Sequence, residues 1–263
     1  MFIIAIDIDG TIQGDITPQV NEYTLINRIG LKYNKNHLQE DYQKGLLRPF
    51  FANFIELYKK RKPQIELFIY TASEPGWAHT IVPVIEKVVD FKFNRPILTR
   101  ANCDMTKFKH KSIEMIAPQL LRSMKRKHKS LKLDLDVIKQ ITYLIDNNLI
   151  LQEDKYLLKC PSYERTIYID PLRQLSNDQA IKNKKIIADI ILDKIYTKES
   201  IWQLLEELYR TVKIECRKSH KLNKQHKSDQ FWKAVMWIFM KSENSSDIIK
   251  RLIHHFQPKE ISP

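Results

Sequence analysis

Two carboxylates that stand two residues apart, Asp7 and Asp9, directly follow an apolar run at the start of the chain. Two later apolar runs also end in polar side chains, one at Thr71 and one at the pair Asp146 and Asn147. A carboxylate at a strand end can attack an electrophilic centre, and a second carboxylate beside it can transfer a proton. Hard divalent cations prefer such oxygen ligands. These residues therefore predict a site for nucleophilic, acid–base and metal-assisted chemistry.

The apolar runs that must position these side chains have the length and composition of buried strands. They span residues 2–6, 65–70 and 141–145 and are rich in Ile, Leu and aromatic residues. Short, continuous apolar runs of this kind are typical of strands that are buried on both faces. We therefore expect three core strands, each ending at one of the polar positions.

Helical patterns lie between these strands. One follows Arg48 and Pro49, with apolar residues at helical spacing from residue 50 to residue 58. Another covers residues 81–89 and follows Ser73, with Ser73 expected as the helix cap and Pro75 in the first turn. Strands that alternate with helices predict an α/β fold with a doubly wound parallel sheet and right-handed crossovers. Ligands bind beyond the carboxyl ends of such strands, so the polar residues should meet at one edge of the sheet.

The chain is expected to divide into two parts. Further strands are predicted at residues 155–158 and 166–169, and a helix at residues 186–195, which completes a core of residues 1–195. Residues 196–263 show only helical patterns, including an apolar segment from Phe231 to Met240. We expect this second part to form a helical C-terminal extension.

These motifs, in this order, resemble a known family. The matching residues are Asp7-Ile8-Asp9-Gly10-Thr11, Arg48-Pro49, Tyr70-Thr71-Ala72-Ser73, Arg100 with Cys103, Lys111-Ser112 and Ile145-Asp146-Asn147. The chain resembles phosphotransferases of the haloacid dehalogenase superfamily, and within it the FCP/SCP-type protein phosphatases related to NLI-interacting factor. Residues 1–195 carry the resemblance, and Gly10 stands where many members have Glu.

The resemblance implies a role for each of the polar residues. Asp7 would be the nucleophile that forms an aspartyl-phosphate, and Asp9 the general acid and then the general base. Thr71 and Lys111 would bind the phosphoryl oxygens. A Mg²⁺ cofactor would be held by Asp7, the backbone oxygen of Asp9, Asp146 and Asn147.

Each assignment has a plainer alternative. Asp7 and Asp9 could belong to an ordinary turn after a strand, and Asp146 with Asn147 to a polar turn. Thr71 could cap the following helix. Lys107 and Lys109 stand close to Lys111, and either could be the phosphate ligand instead.

Composition narrows the classes of protein that remain. The 44 basic and 31 acidic residues give a net charge of +13, which favours polyanionic partners. Basic residues cluster at 122–132 and 217–227, which are expected to be solvated faces first and nucleic-acid contacts second. The three cysteines predict no disulfide scaffold, and no segment suits a secretory signal or a membrane span. We expect an intracellular protein, in the cytoplasm or the nucleus.

The substrate class follows from the resemblance rather than from composition. The resemblance implies that the partner is a phosphorylated protein or peptide, which carries phosphoserine or phosphothreonine as in an RNA polymerase II tail. Two alternatives stay open: a nucleotide or nucleic-acid-end phosphatase of the same fold, and a catalytically retired module that binds phosphoprotein or nucleic acid. The sequence does not predict an oligomeric state.

Overall fold

The computed structural model describes residues 1–14, 17–28, 32–42, 46–104, 111–146, 166–168 and 229–256. Within these ranges, the elements in chain order are β1 (Phe2–Ile6), α1 (Thr17–Arg28), α2 (Lys35–Asp41), α3 (Phe51–Arg61), β2 (Ile65–Tyr70), α4 (Pro75–Val88), β3 (Asn94–Leu98), a 3₁₀ turn (Arg100–Asn102), α5 (Ile113–Lys127), α6 (Leu135–Ile141), β4 (Thr142–Asp146), β5 (Thr166–Tyr168), α7 (Phe231–Lys241) and α8 (Ser245–Phe256).

The five described strands form one parallel sheet in the order β3-β2-β1-β4-β5. β1 is the central strand, and the chain winds outward from it first to β2 and β3 and then to β4 and β5. This is the doubly wound order in which ligands bind at the point where the winding reverses, beside the carboxyl end of β1. The predicted α/β doubly wound parallel sheet is confirmed.

The side chains of β1 alternate between two hydrophobic cores, as the two-residue period of a strand requires. Ile4 and Ile6 belong to the larger core, which includes residues of α3, α4, α7 and α8. Ile3 and Ala5 belong to the smaller core on the other face, which α5 and α6 cover. Because helices cover both faces, the central strands are continuously apolar rather than alternating.

The strand predictions are close to the observed bounds. β1 and β2 coincide with the predicted runs. The third strand was predicted at residues 141–145 and lies one residue later, because Ile141 is the last residue of α6 and the strand β4 includes Asp146. Residues 166–168 pair with β4 as β5. The strand predicted at 155–158 and the helix predicted at 186–195 lie outside the described residues.

Five described elements were not predicted, namely α1, α2, β3, α5 and α6. For β3 and α5 the reason is visible in the sequence. β3 lies at an end of the described sheet, has two exposed residues among its five and includes Pro96, so its apolar signal is weak. α5 contains Pro118 and ends in a run of basic residues, which hides its apolar stripe. The basic residues 122–132 lie on the last turns of α5 and in the segment after it. The second basic group, residues 217–227, lies outside the described residues.

The last two described helices pack on the core. Trp232 of α7 is fully buried, and its ring lies 4.8 Å from the Phe51 ring and 4.9 Å from the Phe54 ring of α3. The division of the chain at residue 195 stays a prediction, because that boundary lies outside the described residues. In the part of the chain that the structure describes, no helix is both long and apolar enough to cross a membrane.

Candidate active site

Asp7 lies at the carboxyl end of the central strand. Its backbone amide donates to the carbonyl oxygen of Ile145 at 2.9 Å, which continues the β1–β4 ladder by one residue. Ile6 is in register with Ile69 of β2 and with Ile145 of β4. The parallel pairing therefore brings the polar residues that follow these strands to the same edge of the sheet.

An ion triad occupies this edge. The Lys111 ammonium group contacts the Asp7 carboxylate directly and lies 3.0 Å from Oδ2 of Asp146. All three side chains are buried, with at most 6% of any of them exposed. Buried charges persist only when they are paired and hydrogen-bonded, so the two carboxylates and the ammonium group stabilise each other.

Tyr70 helps to position Lys111. Its hydroxyl accepts from the backbone amide of Ser112 at 3.1 Å and donates to the carbonyl of Asn102 at 2.9 Å. The Lys111 ammonium group also lies 5.8 Å from the centre of the Tyr70 ring, within cation–π range. The last residue of β2 thereby fixes the start of the segment that leads into α5.

Burial sets the electrostatics of the triad. Desolvation raises the pKa of Asp7 to about 7, with Asp146 and Asp9 adding to this effect and Lys111 opposing it. Desolvation acts to lower the pKa of Lys111, but the charges of Asp146 and Asp7 outweigh it and raise that pKa above its usual range. The site is therefore rich in negative charge and holds its lysine firmly protonated.

Asp9 is held by two hydrogen bonds. Nε2 of Gln13 donates to its Oδ1 at 2.8 Å, and the Ser73 hydroxyl donates to its Oδ2 at 2.7 Å. Gln13 is fully buried, and the Tyr42 hydroxyl contacts its amide oxygen. The prediction that Ser73 caps α4 is wrong: Glu74 precedes the first turn, and the Ser73 side chain is directed to Asp9 instead.

A tight turn follows the two acids. The amides of Thr11, Ile12 and Gln13 donate to the carbonyl of Ile8 at 3.2, 2.9 and 3.2 Å. Gly10 has φ of 77°, a left-handed conformation that a residue with a side chain adopts only under strain. The Thr11 hydroxyl donates to Oδ2 of Asp7 at 3.2 Å. This turn, which directly follows β1, therefore helps to orient both Asp7 and Asp9.

Thr71 follows β2 and is fully buried. Its amide donates to the carbonyl of Leu98, at 2.9 Å, and its hydroxyl accepts from the amide of Ser73 at 3.1 Å. A hydroxyl that accepts one bond can still donate its own proton. Because the amide it binds lies before the first residue of α4, Thr71 closes a local turn rather than capping that helix.

The oxygens at this edge fit a magnesium ion. Asp7 and Asp146 supply two carboxylates, and Mg²⁺ is bound by one or two carboxylates with waters and substrate phosphate making up the rest. The Asp9 carboxylate accepts hydrogen bonds from Gln13 and Ser73. The backbone oxygen of Asp9 stays a predicted ligand. Among the described residues there is no cluster of three or more His, Cys, Asp and Glu side chains.

The predicted residues fall into three groups. Asp7, Lys111 and Asp146 are in direct contact, and Asp9 and Thr71 lie in the segments that follow β1 and β2. Asn147, Lys107 and Lys109 lie outside the described residues. The functional assignments of all of these residues stay predictions.

Sequence reasoning missed Gln13 and Tyr42 as partners of the acidic pair. Gln13 stands four residues after Asp9 in a turn-forming segment, a spacing that could have suggested the contact. Tyr42 is separated from Gln13 by 29 residues, and no local pattern indicates that contact.

The family model for NLI interacting factor-like phosphatase matches residues 2–184, well over half of the chain. No curated protein matches the chain. Among solved structures, the fission yeast RNA polymerase II CTD phosphatase Fcp1, bound to beryllium fluoride, is similar at 16% sequence identity and a TM-score of 0.39, over 98% of this chain and 68% of that one. On the strength of the family match, the chain belongs to the NLI interacting factor-like phosphatase family and is a phosphatase.

Proposed function

We propose that the protein is a Mg²⁺-dependent phosphomonoester hydrolase that works through an aspartyl-phosphate on Asp7. One observation carries the proposal: Lys111 contacts both Asp7 and Asp146, which come from distant parts of the chain, at the carboxyl edge of the sheet. A buried cation between two acids is suited to receive a phosphoryl group, because its charge then compensates the incoming oxygens.

In the first step, a carboxylate oxygen of Asp7 attacks phosphorus in line with the ester oxygen. An Oδ–P bond forms as the P–O ester bond breaks, and Asp9 donates a proton to the leaving alkoxide. The bonds from Gln13 and Ser73 orient the Asp9 carboxyl for this transfer. The products of the step are the free alcohol and Asp7 carrying the phosphoryl group.

In the second step, water attacks the same phosphorus. Asp9, now ionised, accepts a proton from that water, the Oδ–P bond breaks, and inorganic phosphate leaves with the Asp7 carboxylate restored. Splitting the hydrolysis into two displacements allows one carboxyl to serve both as acid and as base. The proton balance of Asp9 is restored at the end of each cycle.

Charge repulsion is the main obstacle to the first step. An anionic carboxylate and one phosphate charge at 4 Å repel by about 4 kcal/mol at an effective dielectric constant of 20. Lys111 and Thr71 would bind the phosphoryl oxygens, as the chemistry of their side chains allows. A magnesium ion held by Asp7, Asp146, the Asp9 backbone oxygen and Asn147 would supply further positive charge next to the phosphoryl group.

We propose phosphoserine or phosphothreonine in a protein segment as the substrate, of the kind found in an RNA polymerase II tail. The family match supports a phosphatase, and the net charge of +13 favours an acidic, phosphorylated partner. The same charge would suit a phosphorylated nucleic-acid end, so the test below includes both substrates. The proposed location is inside the cell, in the cytoplasm or nucleus.

The test is a substrate panel with and without Mg²⁺. Phosphoserine and phosphothreonine peptides and 3′- and 5′-phosphorylated oligonucleotides are compared by phosphate release, with Asp7→Asn as the matched inactive variant. We expect Mg²⁺-dependent release from the peptides and none from the variant. Release that is independent of Mg²⁺, or equal in Asp7→Asn, would contradict the mechanism, and release from the oligonucleotides alone would contradict the substrate class.

A further inference from the structure

The C-terminal helices contact the catalytic turn across a large sequence separation. Nε1 of Trp232 donates to the backbone carbonyl of Thr11 at 3.0 Å, although 221 residues separate the two. Trp232 is fully buried against α3, and its indole nitrogen can only donate. This hydrogen bond ties helix α7 to the turn that follows Asp7 and Asp9.

A second donor reaches the neighbouring carbonyl. Nη1 of Arg48 donates to the carbonyl oxygen of Gly10 at 2.5 Å. Only 5% of the Arg48 side chain is exposed, so this contact lies inside the protein. Adjacent peptide carbonyls of one turn are thus each held by a buried side chain, and the two side chains come from different parts of the chain.

Asp229 fixes the direction of the Arg48 guanidinium group. Its carboxylate contacts Nε of Arg48, and its Oδ1 accepts from Nη2 at 3.3 Å. The same Oδ1 accepts from the backbone amide of Phe231 at 3.1 Å, at the start of α7. Asp229 therefore couples the first turn of α7 to the guanidinium group that holds Gly10.

From these contacts we infer that Asp229 and Trp232 are positioning residues, which hold the turn after Asp9 in place for catalysis. Helix α7 thereby contributes to the active site. The inference rests on the proposed function, because it assumes that Asp7 and Asp9 carry the chemistry. Both residues lie beyond the region that the family model matches, residues 2–184. They act through the backbone of Gly10 and Thr11, which sets where Asp9 stands relative to Asp7.

The physical reason lies in the geometry of the turn. Gly10 has a left-handed φ of 77°. Glycine lacks a Cβ and has more conformational freedom than any other residue, so this conformation must be held by contacts from elsewhere in the protein. Hydrogen bonds to the carbonyls of two consecutive peptides, Gly10–Thr11 and Thr11–Ile12, restrict that freedom. A displacement of about 1 Å in a catalytic group can cost on the order of 100-fold in rate.

The test uses two conservative variants of the full chain with matched controls. Trp232→Phe keeps an aromatic ring against Phe51 and Phe54 but removes the N–H donor. Asp229→Asn keeps a side-chain oxygen for the Phe231 amide but removes the charge that orients Arg48. Trp237→Phe is the control on the same helix, since Trp237 is 52% exposed, and Asp247→Asn is the control for charge, since Asp247 pairs with Arg251 on the surface of α8.

The first measurement is hydrogen exchange, which does not depend on enzyme activity. We expect faster exchange of the Thr11, Ile12 and Gln13 amides in Trp232→Phe and Asp229→Asn, with the β2 amides unchanged and both controls like the wild type. Unchanged exchange at the turn in both variants would overturn the inference. Because this readout needs no turnover, it separates a failure of the inference from a failure of the proposed function.

The second measurement is steady-state hydrolysis of a phosphoserine peptide, at a temperature where circular dichroism shows every variant folded. We expect kcat to fall by about tenfold or more in both variants, because Asp9 is displaced. KM should change little, because Lys111 and Thr71 do not lie on the turn. Variants that lose thermal stability but keep the wild-type kcat would show that α7 only stabilises the fold, and this would overturn the inference.

Discussion

At the scale of single residues, the feature that matters most is the surplus of negative charge around one lysine. Asp7 and Asp146 both contact the buried ammonium group of Lys111, and the charge of Asp9 also acts on Asp7. Burial raises the pKa of Asp7 to about 7. The pKa rises because desolvation and the charges of Asp146 and Asp9 together outweigh the opposing charge of Lys111. A divalent cation at this position would relieve the same imbalance.

The shift of Asp7 predicts how the stability of the metal-free protein depends on pH. A carboxyl whose folded pKa is raised binds a proton more tightly in the folded state than in the unfolded state. Its contribution to stability is fully present below about pH 4 and is lost as the pH rises through about 7. We expect the free energy of unfolding of the wild type to fall, relative to that of Asp7→Asn, by up to about 1 kcal/mol per pH unit in this window.

Urea unfolding in the presence of a chelator, at intervals from pH 4.5 to pH 8, measures this difference. Asp90→Asn is a suitable control, because the Asp90 side chain is 94% exposed. A difference between wild type and Asp7→Asn that is constant with pH would contradict the raised pKa.

The two donors to Asp9 predict a selective loss of activity. Gln13→Met keeps the length of a buried side chain but removes the donor to Oδ1, and Ser73→Ala removes the donor to Oδ2. Proton donation matters more for an alkoxide leaving group than for a nitrophenolate. We expect hydrolysis of a phosphoserine peptide to fall by about tenfold or more in either variant, and hydrolysis of an aryl phosphate to fall less.

The measurement is kcat/KM for both substrates, with Thr80→Ala as the control, since Thr80 is half-buried on α4 and its hydroxyl donates to the Gly76 carbonyl of the same helix. Equal losses on the two substrates would indicate a general structural effect and would contradict the assigned role of Asp9.

At the scale of elements, parallel pairing explains why the site forms where it does. β1 lies between β2 and β4, with Ile6 in register with both neighbours. Asp7 and Thr71 directly follow β1 and β2, and Asp146 is the last residue of β4, so all three residues lie at the same edge of the sheet. The helices cover the two faces of the sheet, and they return the chain to the edge where the next parallel strand begins.

An ion pair joins the end of α4 to β3. Only 1% of the Glu86 side chain is exposed, and its carboxylate accepts from Nη1 and Nη2 of Arg95, each at 2.8 Å, and from the Phe93 amide at 2.9 Å. Arg95 is 46% exposed, so solvent screens part of this attraction. We expect Glu86→Ala to destabilise the fold by roughly 1–3 kcal/mol, mainly through the buried amide left without its acceptor.

Glu56→Ala is the matched control, because the Glu56 side chain is 53% exposed and pairs with Lys59 on a helix surface. Urea unfolding should show the loss for Glu86→Ala alone, while kcat per folded molecule stays near the wild-type value. A large drop in kcat without a loss of stability would place Glu86 in the catalytic machinery and contradict this account.

The elements that could be predicted are those whose signal is local. β1 and β2 are buried on both faces, so their runs are apolar except for Glu66 of β2, whereas β3 has exposed residues and contains Pro96. The meeting of Asp7 with Asp146 was predictable because parallel strands end at a common edge. The contacts of Arg48 with Asp229 and of Trp232 with Thr11 were not, because no periodicity or motif relates residues about 180 to 220 positions apart.

At the scale of the whole molecule, one hydrophobic core covers each face of the sheet. The candidate active site lies at the edge formed by the carboxyl ends of the strands. The larger core includes the helices near the C-terminus, so residues 231–256 belong to the same packed body as β1. The turn that follows β1 is hydrogen-bonded to Trp232 of α7, so the proposed position of Asp9 depends on contacts between residues far apart in the described chain. The central claim, that Asp7 is the group that receives the phosphoryl, is therefore a claim about the whole fold.

The most direct test of that claim is to trap the phosphorylated enzyme. The full-length protein with Mg²⁺ and a phosphopeptide is quenched in acid within one turnover, digested, and analysed by mass spectrometry. The account predicts that one phosphoryl group is found on Asp7 in the wild type and none in Asp7→Asn. A phosphoryl group on another residue, or full turnover by Asp7→Asn, would contradict it.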